Sequence, residues 1–134
     1  MMAVMTDSLQ PHPFRIAAEN ADRPAMLAAL APEIVLHSPV SFKPFVGLEA
    51  VDGLFAALLE VFKDFHYTDE LPGPRVRILV FEARVGDRQL QGVDILRIDD
   101  AGLVNDFTVM VRPLSATLAL AEAIGGRLAA RHGG

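Results

Sequence analysis

The chain has no cysteine, no tryptophan, a single tyrosine and no run of basic residues. Without cysteine it can carry no disulfide framework, no thiolate nucleophile and no thiolate metal ligand, a composition suited to a reducing cytoplasm. Its 12 Lys and Arg residues are scattered singly against 17 Asp and Glu, for a net charge of -5. Gripping a phosphate backbone takes a basic stripe, so nucleic acid is not an expected partner. No apolar run approaches the roughly 18 residues of a membrane span. The opening MMAVMTDSLQ places Asp7 where a signal peptide would be apolar. The expectation is a cytoplasmic protein with no membrane partner. Histidines at positions 12, 37, 66 and 132 show no ligand spacing, so neither a metal site nor another cofactor is expected. His12 and His132, near the ends, are expected in solvent.

What the chain has in quantity is apolar side chains, 51% of its 134 residues, with a mean hydropathy of +0.33. That length forms one domain, 1-134, able to bury a single core, with 1-10 read as a flexible N-terminus. So high an apolar fraction leaves some for a ligand cavity or a second subunit.

PHPFRIAAENAD spaces Phe14, Ala17, Ala18 and Ala21 as a helix begun by Pro13. Asp22 then caps a second short helix, RPAMLAALA. EIVLH reads as a strand ended by Ser38 and Pro39. After Gly47, LEAVDGLFAALLEVF repeats apolar residues at Val51, Leu54, Phe55, Leu58, Leu59 and Phe62, the stripe of a long helix. From Phe65 the period turns to alternation, broken by Pro72-Gly73-Pro74, Gly86-Asp87 and Asp99 to Gly102. Four strands, near 65–71, 75–85, 89–98 and 103–112, should form an antiparallel meander. A final helix covers 114-131, weakened by Gly125-Gly126. The order is that of an α+β fold, a curved antiparallel sheet with helices packed over one face and a cavity between.

Most of the chain resembles the ketosteroid isomerase and SnoaL-like proteins of the nuclear transport factor 2-like superfamily. The resemblance lies in Asn20-Ala21-Asp22, in Ser38-Pro39-Val40 where that family has Asp-Pro-Val, in Gly47 before the long helix, and in GVDILRIDDAGLV at 92–104. It implies a cone-shaped, cystatin-like roll, a fold that hosts isomerases, cyclases, hydrolases and pure binding modules. It also implies a homodimer formed through the sheet. Carried over by position, the isomerase base falls on Ser38, the oxyanion-binding tyrosine on Phe14 and the second acid on Asp94. The His/Asp pair of SnoaL-type cyclases falls on Phe107 and Val109. Serine without a neighbouring base cannot take a proton from carbon near neutral pH, and phenylalanine donates no hydrogen bond. Asp94 and Arg97 stand at an odd spacing, on opposite strand faces, which argues against a hydrolase built on both.

Asp94 alternates with Leu90, Gly92, Leu96 and Ile98, a carboxyl group on an apolar strand face whose pKa should be raised. His37 is the titratable neighbour of the lost base. A turn at Pro39 that swung it inward would let it act as general base with Asp94, whereas strict alternation faces it away from Ser38. Phe14, Ser38, Phe55, Leu59, Phe62, Leu96, Phe107 and Val109 are expected to contact a ligand, and Met26, Leu30 and Val111 to complete the hollow. Ser38 can also cap its own turn. The sequence thus points first to a module that holds a small apolar molecule. The alternative is a cofactor-independent isomerase, cyclase or hydrolase using Asp94 with His37 as acid and base.

Overall fold

The computed structural model describes residues 10–133, and side chains for 10–129. The segment expected to be a flexible N-terminus lies almost wholly outside the described residues. Helices α1 (Pro13–Glu19) and α2 (Arg23–Ala28) lead into β1 (Leu30–His37), the short β2 (Phe45–Val46) and the long helix α3 (Leu48–Val61). Strands β3 (Phe62–Leu71), β4 (Val76–Val85), β5 (Arg88–Ile98) and β6 (Val104–Arg112) follow, then helix α4 (Leu114–Gly133). No described helix is long and apolar enough to cross a membrane.

One sheet of order β2-β1-β6-β5-β4-β3 carries the fold. The four-strand meander is antiparallel, but β1 lies parallel to β6, so the sheet is mixed where an antiparallel one was expected. Two features of β1 and β2 escape a period-based reading. β1 starts three residues earlier than EIVLH, because Pro32 falls in the irregular stretch between the Leu30 and Val35 pairings, where the ladder makes no demand on its missing N–H. Phe45 and Val46 return as β2 along the outer edge of β1.

The inner sheet face is the buried one. Leu79, Phe81, Ala83 and Val85 of β4 and Leu90, Asp94 and Leu96 of β5 alternate inward. They meet α3, which turns Val51, Leu54, Phe55 and Val61 to the same core, and α4, which adds Ala116, Leu120 and Ile124. Gly92 is required by a close approach: a Cβ there would run into the Phe81 ring of its cross-strand partner.

His12 is not in solvent. Only 5% exposed, it caps α1 through Nδ1, which accepts from Phe14 N–H at 3.1 Å, while Nε2 lies 3.1 Å from the Gly102 carbonyl. A backbone N–H can only donate, so Nδ1 is unprotonated and Nε2 carries the proton. Burial lowers the pKa of this ring. The His132 side chain lies outside those described.

Candidate functional site

Asp94 sits mid-strand in β5, between Leu79 of β4 and Val109 of β6, and is 5% exposed. The Tyr67 hydroxyl donates to its Oδ2 at 3.1 Å, the one hydrogen bond to this carboxyl among the described residues. Burial pushes the Asp94 pKa up to about 7, against a smaller downward pull from the Tyr67 hydrogen bond. Burial and the neighbouring carboxyl push the Tyr67 phenol well above its ordinary value, so it remains a donor. The Arg15 guanidinium lies over the Tyr67 ring, 5.7 Å from its centroid, and is held by Glu70 at 3.3 Å and Glu19 at 3.5 Å.

The pair faces a cavity of about 370 Å³ between the sheet and helices α1, α2, α3 and α4. Of the residues expected to contact a ligand, Phe14, Ser38, Phe55, Leu59, Phe62, Phe107 and Val109 line it, as does Met26. Leu96 does not: it is fully buried in the packed core two residues beyond Asp94. Leu30 and Val111 also lie outside the lining. The Ser38 hydroxyl accepts from Val40 N–H at 3.1 Å, the turn-capping role open to it.

His37 is not brought to Asp94. Ile34 and Leu36 fill the inward positions of β1, so the alternation turns His37 to the other face, where Nε2 meets Asp106 Oδ1 at 3.0 Å. His37, the general base imagined beside Asp94, thus lies outside the cavity, whose ionisable lining among the described residues is Glu19, Asp64, Tyr67 and Asp94.

Sequence reasoning missed Tyr67, Phe65 and Phe81, which complete the aromatic wall. A signal existed for Tyr67, the lone tyrosine two residues from Phe65 on a predicted strand. A bulge conceals the rest. The β3–β4 register shifts between Lys63 and His66, around Asp64 at φ 55°, so Phe62, Phe65 and Tyr67 all reach the cavity although strict alternation would separate Phe62 from the other two. Among the described residues no group of three or more His, Cys, Asp or Glu could hold a metal ion.

No protein-family model matches this chain, and no curated protein matches it. Solved structures do. A steroid delta-isomerase from Pseudomonas aeruginosa shares 39% identity over 88% of each chain, with a TM-score of 0.82. An uncharacterised Silicibacter pomeroyi protein with a cystatin-like fold shares 25% identity over 90% of this chain and 86% of its own, with a TM-score of 0.84. A nuclear transport factor 2-like protein of unknown function from Mesorhizobium loti, 18% identical over 75% of this chain and 85% of its own, has the same fold at a TM-score of 0.66. This chain belongs to the nuclear transport factor 2-like superfamily.

Proposed function

We propose that this SnoaL-like domain binds a small apolar ligand, held by the cavity walls and oriented by one polar contact to Asp94. The observation that supports this reading is the pairing of a roomy apolar hollow with a single deeply buried carboxyl group on its wall, the arrangement of small-molecule sites in general. Titration with an uncharged aromatic hydrocarbon, followed by methyl NMR, is expected to shift Leu36, Leu54 and Val109 and to leave Val80 and Val93 unmoved. Uniformly unshifted methyls would defeat the reading.

A second reading, favoured by the 39% identity to the steroid delta-isomerase, is cofactor-free acid–base catalysis in the same cavity. Asp94, protonated and braced by Tyr67, would donate to a developing oxyanion. It ranks second because Ser38, where the resemblance places the base, carries a hydroxyl that cannot take a proton from carbon near neutral pH. Turnover of an unsaturated ketosteroid that disappears in Asp94→Asn would promote it; absence of turnover would remove it.

The protein is further proposed to act as a cytoplasmic homodimer. On the outer sheet face Ile78, Ile95 and Thr108 form one cross-strand row and Val80, Val93 and Met110 the next. Met110 is 56% exposed, and a second copy of this face would cover both rows.

A further inference from the structure

We propose that the ligand of this cavity is a cation: an aromatic or otherwise apolar amine, protonated or quaternary, whose nitrogen sits against Asp94 among the surrounding rings. The inference rests on the ligand-binding reading above and specifies its ligand class.

Three observations converge on it. The first is where the chain spends its aromatic residues. Of eight Phe and one Tyr, seven line this one cavity, leaving only Phe42 and Phe45 elsewhere. They form two groups: Phe14, Phe55 and Phe107, with centroids 5.0 to 6.2 Å apart, and Phe62, Phe65, Tyr67 and Phe81, whose neighbouring centroids lie 5.0 to 6.3 Å apart. Aromatic faces carry the negative part of the ring quadrupole and attract a cation within about 6 Å of the centroid. Phe62 and Phe65, the half-buried members of the wall, leave ring surface for a methylated nitrogen to meet.

The second is charge. Among the described residues the lining contains Glu19, Asp64 and Asp94 and no Lys, Arg or His. Glu19 and Asp64, the more exposed two, are already paired with arginines outside the lining, Glu19 with Arg15 at 3.5 Å and Asp64 with Arg84 at 2.6 Å. Asp94 has no cationic partner among the described residues.

The third is the state of that carboxyl. Tyr67 occupies one oxygen, and the other has no donor among the described residues. A carboxylate in an apolar hollow is costly without a counter-ion, and remains so until one arrives. A cationic ligand supplies it. An anionic ligand meets Asp94 with no arginine or lysine among the described lining residues to receive it. A neutral hydrocarbon fills the walls but gives the free oxygen nothing.

The test uses three probes of similar size on the intact protein at pH 8, with affinity read from methyl chemical shifts. They are benzyltrimethylammonium, its uncharged carbon isostere neopentylbenzene, and the anion 3-phenylpropionate. Benzyltrimethylammonium is expected to bind at least about tenfold more tightly than neopentylbenzene, the scale of desolvated cation–π contact added to an ion pair. The anion is expected not to saturate. In Asp94→Asn most of the cation's advantage should vanish while the isostere keeps its affinity. The ratio in the unmodified protein decides the matter even if that variant folds poorly. Equal or tighter binding of neopentylbenzene would overturn the cation inference and leave the apolar-ligand reading standing. If neither probe saturates, both readings fall.

Discussion

Replacing Asp94 by asparagine isolates the free energy of holding an acid in an apolar wall. The folded-state pKa is raised from 3.8 to about 7, chiefly by burial. Below the lower value both folded and unfolded chains carry the proton. As pH rises above it, the unfolded chain releases the proton and the folded chain keeps it, so stability falls until the folded group also ionises near 7. At about 1.36 kcal/mol per pH unit over some three units, the loss is on the order of 4 kcal/mol. Asparagine is close to the neutral acid in shape, still accepts from Tyr67 and does not titrate. Urea unfolding of both proteins from pH 4 to pH 8 is therefore expected to give similar stabilities at the acid end and a variant that gains steadily toward pH 7, then holds its lead. Other titrating groups, His12 included, are common to both chains and drop out of the difference. A difference that stays flat with pH would refute the burial argument, and one of opposite slope would mean that the folded state stabilises the carboxylate.

Gly92→Val should force the Phe81 ring from its seat, costing about 1–3 kcal/mol in chemical unfolding and weakening binding of any aromatic probe; unchanged stability would show that the ring has room to spare. Tyr67→Phe removes the donor to Asp94, at a cost of about 1 kcal/mol, and should raise the Asp94 titration midpoint further, as read by carboxyl NMR. Because the pKa of His12 is lowered in the fold, its stability contribution should decline as pH falls below 6.5, where the unfolded chain takes up a proton that the folded chain resists. His12→Asn keeps a capping oxygen and should flatten that acid limb of the melting temperature. Sedimentation at micromolar concentration is expected to give about twice the chain mass, falling to one chain in Val93→Lys; a monomeric parent would remove the dimer.

The helices, the meander and the cavity's α3 wall were legible because they follow single periods that one chain segment carries on its own. Asp94 stood out for the same reason, a lone carboxyl in an alternating apolar strand. What the period could not reveal was pairing between distant segments: β1 beside β6 in parallel, and the Tyr67 hydroxyl opposite Asp94 across two strands. Nor could it foresee the bulge at Asp64, which carries Phe62, Phe65 and Tyr67 to the cavity together. Leu96 and Asp94 share a strand face, yet one is packed under core and the other reaches the hollow, a difference of depth along the cone. His12 read as a solvated terminal residue because nothing nearby in sequence announces the Gly102 carbonyl or the Glu70 carboxylate that meet it.

The central claim is that Asp94 presents an uncompensated carboxyl group to an apolar hollow, and carboxyl-¹³C NMR titration of that one side chain tests it most directly. A midpoint near 7 is expected. A midpoint near 4, the value of an aspartate in water, would contradict the account.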